Sequence, residues 1–84
     1  MLSFYNFSKM PFVHKLDYVN KNGNYVCYRN FLKYKIKLYH MDNFFAEIWI
    51  DPDNNVFNIF PFTSSRCLNP YLDLIDISEV VTNY

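Results

Sequence analysis

Hydrophobic and polar residues alternate most regularly in the middle of the chain. Between Lys33 and Tyr39, apolar side chains are separated by lysines, and this period of two is typical of a half-buried strand. A three-residue turn at 41–43 would place Leu38 opposite Ala46 on the next strand. That register puts apolar residues on one face, whereas a slip by one residue would mix the two faces.

A second turn signal follows at residues 51–55. Asp51 and Pro52 suit the first two positions of a type I turn, and a four-residue loop would pair Asp51 with Val56. The pattern therefore predicts a three-stranded antiparallel meander over residues 33–62. One of its faces is apolar and the other is mixed.

The N-terminal region contains the chain's one glycine, Gly23, directly after Asn22. Asn-Gly is a strong hairpin signal because a type I′ turn needs a positive φ at both central residues. We therefore predict an N-terminal hairpin over residues 12–31, with strands at 12–19 and 25–31. Residues 1–11 are too apolar to form an unstructured tail. We expect them either to form an edge strand or to pack across the core.

The C-terminal region, residues 64–81, is predicted to be helical. Asn69 would be the N-cap and Pro70 the first helical residue, while Leu68, Tyr71 and Ile75 share one helix face. The end of this region, 77–81, could continue the helix or add a short strand. The prediction is a single domain, 1–84, of the α+β class: an antiparallel meander of four to five strands with a C-terminal helix packed on one face.

The mixed face of the meander is the candidate interaction surface. Trp and Tyr are enriched at protein interfaces, which favours a non-enzymatic protein-interaction module that self-associates through this face. The alternative is weak binding of single-stranded nucleic acid, because basic and aromatic residues are interleaved there. The residues concerned are Trp49, Tyr39, Phe60, Lys35, Lys37 and Glu47.

Composition and charge bear on both hypotheses. Aromatic residues make up 21% of the 84 residues, so in so small a core some rings must lie near the surface. Net charge is zero and the pI is about 6.7, which makes nucleic acid an unlikely partner. The charge is unevenly distributed, however. Residues 1–40 contain seven basic residues and one acidic residue, whereas residues 41–84 contain one basic residue and seven acidic ones. The two halves could neutralise each other within one molecule or between molecules.

An acidic turn at 51–55 has some resemblance to a calcium-binding loop. Such a loop needs Gly at its sixth position and Glu at its twelfth, where this chain has Val56 and Phe62. We therefore predict no metal site. No cofactor-binding motif is present either.

The candidate catalytic side chains lack partners in the sequence. His14 and His40 belong to no metal-ligand or acid–base motif, and Cys67 has no histidine near it. We therefore expect no enzymatic activity. Cys27 and Cys67 form no disulfide framework, and no signal peptide or membrane-spanning run is evident, so the expectation is a cytoplasmic protein with reduced thiols and no membrane contact.

The second half of the chain resembles short uncharacterised bacterial proteins. The similarity lies in Phe-Ala-Glu-Ile-Trp-Ile-Asp at 45–51, Phe-x-Phe-x-Ser at 60–64 and Leu-x-Pro-Tyr-Leu-x-x-Ile at 68–75. In those proteins a hairpin with an acidic and aromatic strand leads into a small helix. The resemblance implies no activity or functional residues.

Overall fold

The structure is a computed structural model that describes residues 2–72. Two helices precede a four-stranded sheet, and a short 3₁₀ helix follows it. In chain order the elements are α1 (Phe4–Ser8), α2 (Phe12–Asn22), β1 (Asn24–Phe31), β2 (Tyr34–His40), β3 (Phe45–Ile50), β4 (Val56–Phe62) and the 3₁₀ helix (Ser65–Tyr71).

The sheet is an antiparallel meander in which strands adjacent in sequence are adjacent in space, in the order β1-β2-β3-β4. This confirms the predicted α+β class and the antiparallel meander. The two α-helices described precede the sheet and pack on one of its faces. Of the predicted C-terminal helix, the described residues show only the 3₁₀ helix at Ser65–Tyr71.

The predicted N-terminal hairpin over 12–31 is also wrong, because its first strand is helix α2. Phe12, Leu16 and Val19 recur at the spacing of a helix face, and Val19 is fully buried while Leu16 packs beside it. Pro11 has an extended conformation at the N-cap, where its missing N–H costs no helical hydrogen bond.

Gly23 ends α2 rather than forming a type I′ turn. Its φ of −81° is open to any residue, and its N–H donates to the carbonyl oxygen of Val19 at 2.8 Å. A Cβ at this position would lie 2.7 Å from that oxygen and 2.9 Å from the Met41 sulfur. Glycine is therefore needed here for close packing, not for a positive φ.

The register between β2 and β3 differs by one residue from the prediction. Leu38 lies opposite Glu47 instead of Ala46, and Lys37 lies opposite Ile48. The cause is the turn, which spans residues 41–44: the Met41 N–H donates to the Phe44 carbonyl at 2.7 Å. Because side chains alternate along a strand, this slip moves every β3 side chain to the other face relative to β2.

The sheet therefore has two faces with different neighbours. The helix face packs against α1 and α2 through Phe7 and Val19. The 3₁₀ helix covers part of the opposite face with Leu68 and Tyr71. The helix face carries Lys35, Lys37, Tyr39, Ala46, Ile48, Ile50 and Ile59, and the opposite face carries Ile36, Leu38, Phe45, Glu47, Trp49, Phe60 and Phe62.

The predicted helical region at 64–81 is described only as far as Leu72. Ser64, not Asn69, is the N-cap, and its hydroxyl accepts from the Arg66 N–H at 3.3 Å. Pro70 lies inside the 3₁₀ helix rather than at its first position. The rest of the predicted helix and the alternatives for 77–81 lie outside the described residues. Within the described part of the chain, no helix is both long enough and apolar enough to cross a membrane.

Candidate functional site

A buried carboxylate lies at the centre of the opposite face. Glu47, in the middle of β3, is 5% exposed. The Trp49 indole N–H donates to its Oε1 at 3.2 Å, and the Tyr71 hydroxyl donates to its Oε2 at 2.5 Å. The Arg29 guanidinium reaches the same Oε2 at 3.4 Å and forms an ion pair with it. Both carboxylate oxygens thus have partners, as a buried charge requires.

The partners of Glu47 come from separate parts of the chain. Arg29 comes from β1, Trp49 from the same strand as Glu47, and Tyr71 from the 3₁₀ helix. The guanidinium carbon lies 5.2 Å from the Tyr71 ring centroid and 6.0 Å from that of Trp49, within the range of a cation–π interaction. The cluster therefore fastens the 3₁₀ helix to the sheet and orients the Trp49 ring.

Two members of this cluster, Tyr71 and Arg29, have raised pKa values. Burial, followed by the hydrogen bond to Glu47, raises the pKa of Tyr71 far above its ordinary value. Burial acts to lower the pKa of Arg29, but its interactions with Tyr71 and Glu47 outweigh that effect and raise it. Neither Tyr71 nor Arg29 therefore exchanges a proton near neutrality.

Replacing Tyr71 with phenylalanine tests this assignment. Loss of the hydroxyl removes a donor to a buried charge, so we expect the free energy of unfolding to fall by about 1–3 kcal/mol. Because folding raises the pKa of Tyr71, its contribution is intact below a pH of about 10 and is lost as the pH rises above that value. Urea titrations at several alkaline pH values should show a shallower pH dependence for Tyr71→Phe than for the wild type. Parallel curves for the two proteins would contradict the assignment.

A second feature of the opposite face is an aromatic patch, defined as Phe31, Tyr34, Trp49, Phe57 and Phe60. Ring centroids are 4.9 Å apart for Tyr34–Phe57, 6.1 Å for Phe31–Trp49 and 6.2 Å for Tyr34–Trp49. Phe31, Phe57 and Phe60 are each 46–47% exposed. Four of these rings lie toward the end of the sheet that carries the β1–β2 and β3–β4 turns. Phe60 lies farther along β4, opposite Glu47, and its ring stacks on that of Phe62 with centroids 6.1 Å apart.

The structure divides the six predicted interface residues between the two faces. Trp49, Glu47 and Phe60 lie on the opposite face, and Glu47 is buried instead of presented at the surface. The other three, Lys35, Lys37 and Tyr39, lie on the helix face because of the one-residue slip in register.

On the helix face, these three residues join two tyrosines from β1. We call Tyr25, Tyr28, Lys35, Lys37 and Tyr39 the lysine–tyrosine surface. Its members alternate across the β1–β2 pair, in which Tyr28 lies opposite Lys37 and Tyr25 opposite Tyr39. Sequence reasoning placed 25–31 in a strand but assigned it no surface, because the faces of β1 could not be identified without its register.

Arg29 and Tyr71, which hold the buried carboxylate, were not among the predicted site residues. Arg29 is the one charged residue in β1, and a lone charge in an aromatic strand is a signal for a buried partner. Tyr71 was assigned to a helix face, and nothing in its local sequence indicates contact with Glu47.

The side chains considered for catalysis are dispersed. His14 is exposed on α2, and His40 packs against the Phe45 ring with centroids 4.9 Å apart. Cys67 packs against the buried cluster that includes Leu68 and Tyr71. Cys27 and Cys67 are free thiols, and burial raises the pKa of Cys27. Among residues 2–72, no group of three or more His, Cys, Asp or Glu side chains could hold a metal ion.

Comparison with known proteins identifies no relative of this chain. No protein-family model matches the chain, and neither the curated proteins nor the solved structures give a match. The function is therefore inferred from the chain's own residues.

Proposed function

We propose that this protein is a non-enzymatic, cytoplasmic protein-interaction module that self-associates through the aromatic patch. The observation that carries the proposal is the group of half-exposed phenylalanine rings on the part of the opposite face that the described chain leaves uncovered. Exposed apolar surface of this kind marks interaction sites, and aromatic side chains supply most of the binding energy at interfaces.

The patch is suited to binding because its central ring is held in place. Trp49 is fixed by its hydrogen bond to Glu47 and by edge contacts with Phe31 and Phe57. Rings that are already ordered lose little conformational entropy on association. Binding to this patch would thus require little rearrangement of the sheet.

Charge at the turn end of the sheet favours a second copy of the chain as the partner. Lys33 lies in the β1–β2 turn and Asp53 in the β3–β4 turn, at the same end of the sheet, and both line one cavity there. Two sheets packed face to face about a twofold axis parallel to the strands would place Lys33 of each copy over the Asp53 turn of the other. Such an isologous contact pairs the same patch with itself and closes as a dimer.

Replacing two exposed phenylalanines tests the patch. The double variant Phe57→Ser/Phe60→Ser should weaken the dimer at least about tenfold, since each ring at the centre of an interface contributes more than about 1 kcal/mol. The measurement is sedimentation equilibrium over a range of concentrations. A matched control is Phe12→Ser/Val13→Ser on α2, where both residues are also exposed, and it should leave the dimer unchanged. Equal dimer constants for the patch variant and the wild type would contradict the proposal.

Charge-reversal variants, measured by the same sedimentation experiment, test the orientation of the two chains in the dimer. Lys33→Asp and Asp53→Lys should each weaken self-association by placing like charges opposite each other, and mixing the two variants should restore dimers. If the aromatic variant dissociates but mixing restores nothing, the patch is the interface and the twofold arrangement is wrong.

The alternative function, weak binding of single-stranded nucleic acid, was predicted for one face that combines the lysines with Trp49. Lys35 and Lys37 lie on the other side of the sheet from Trp49 and Phe60. A base stacked on Trp49 would have near it the guanidinium of Arg29, which already pairs with Glu47. The predicted combined face is therefore divided: the lysines lie with Tyr39 on the helix face, and Trp49 lies with Phe60 on the opposite face.

A further inference from the structure

The lysine–tyrosine surface is an open part of the helix face. The helices pack against the core residues of β3 and β4, whereas the side of this face formed by β1 and β2 keeps two tyrosines accessible. Tyr25 is 53% exposed and Tyr28 is 47% exposed. Lys35 is also exposed, and Lys37 and Tyr39 are half-buried.

Cations and rings alternate at short range on this surface. The Lys35 ammonium nitrogen lies 4.6 Å from the centroid of the Tyr28 ring, and Lys37 is the cross-strand partner of Tyr28. The Tyr25 and Tyr39 rings meet edge to face with centroids 5.6 Å apart. The positive charges of Lys35 and Lys37 thus lie within about one strand spacing of the Tyr28 ring.

The charge of the surface is positive although the net charge of the whole chain is zero. Strands β1 and β2 contain no aspartate or glutamate. The nearest buried carboxylate, Glu47, is on the opposite face and is paired with Arg29. Among residues 2–72, Lys35 and Lys37 form no ion pair. A surface of positive charge attracts polyanions.

We propose that the lysine–tyrosine surface binds single-stranded nucleic acid without sequence preference. Bases would stack on Tyr28 and Tyr25 while Lys35 and Lys37 neutralise neighbouring phosphates, the combination that single strands require. In a duplex the bases are stacked on each other and cannot stack on Tyr25 or Tyr28. An acidic peptide would match the charge, but it has no flat π surface for the tyrosines. This site is separate from the aromatic patch and does not depend on self-association.

The test is the fluorescence anisotropy of a labelled oligothymidine of about 20 nucleotides, longer than a typical single-strand site. For two neutralised phosphates, log K should fall with log salt concentration with a slope of about −1.4, from −0.7 per phosphate. Lys35→Gln/Lys37→Gln should remove this slope. Lys9→Gln/Lys21→Gln carries the same change in net charge on exposed residues of the helical region and should keep it. Equal losses in the two variants would overturn the site, because bulk charge would then explain the binding.

Stacking and partner class are tested in the same assay. Tyr28→Leu should weaken binding by roughly 5- to 150-fold, the range for loss of one stacked base, while leaving the salt slope unchanged. An unchanged affinity of Tyr28→Leu would overturn the stacking assignment. Polyglutamate should compete poorly and duplex DNA should bind more weakly than the single strand. Equal competition by polyglutamate would overturn the nucleic-acid assignment in favour of an acidic peptide, and no binding of oligothymidine at low salt would overturn the proposal altogether.

Discussion

Replacing Arg29 with methionine is expected to lower the free energy of unfolding by about 3 kcal/mol, because it leaves Glu47 buried without its counter-ion. Tyr71 and Trp49 would still donate hydrogen bonds to the carboxylate, but neither neutralises its charge. Since a domain of this size has a total stability of roughly 4–12 kcal/mol, the effect is large. Urea denaturation followed by circular dichroism measures it.

A double variant separates the charge from the packing. Arg29→Met/Glu47→Gln removes both charges and keeps an amide oxygen as an acceptor for the Tyr71 hydroxyl and the Trp49 indole N–H, so it should be more stable than Arg29→Met alone. If the single variant lost less than about 1 kcal/mol, Glu47 would not depend on Arg29. The structural role assigned to the cluster would then be wrong.

Replacing Phe7 with alanine should lower the free energy of unfolding by about 3–5 kcal/mol, the usual cost of removing a phenylalanine from a core. Phe7 is fully buried, and its ring centroid lies 5.2 Å from that of Phe44 and 6.0 Å from that of Tyr18. Helix α1 is only five residues long, too short to be stable by itself. The buried Phe7 ring therefore anchors it, together with Phe4, whose centroid lies 6.1 Å from that of Phe44.

Tyr5→Ala on the same helix is the matched control. Tyr5 is 64% exposed, and its loss should change stability by no more than about 0.5 kcal/mol. Thermal or urea denaturation of the two variants side by side checks the pair. Similar losses for both would mean that α1 does not pack as described.

The meander could be predicted because each of its strands pairs with its neighbour in sequence. Alternation identified β2, β3 and β4, and Pro52 identified the second turn. The register could not be predicted, because it depends on how residues 41–44 fold. Asp42 takes a positive φ of 77°, and Phe44 is buried in the turn instead of pairing in the strand.

Helix α2 was misassigned because two local signals conflict. Asn22-Gly23 is typical of a tight hairpin, whereas Phe12, Leu16 and Val19 have helical spacing. The structure follows the helical spacing because it buries Val19 against Ile48 and Ile59. Tertiary packing thus overrides the turn propensity of two residues.

The candidate surfaces show the same dependence on register. Aromatic excess correctly pointed to rings outside the core, and half-exposed phenylalanines lie on the opposite face. A shift of one residue in the β2–β3 register changes which aromatic rings share a face with the lysines. In the structure Lys35 lies beside Tyr28 and not beside Trp49. The link between Glu47 and Tyr71 spans 24 positions, and no local pattern indicates it.

Sedimentation equilibrium of the wild-type chain tests self-association most directly. Measured over a wide concentration range at two salt concentrations, the mass should rise toward twice the 10.2 kDa of one chain. Added salt should weaken the dimer only slightly, since the aromatic patch contributes most of the binding energy. The mass of one chain at every concentration would contradict the proposed function.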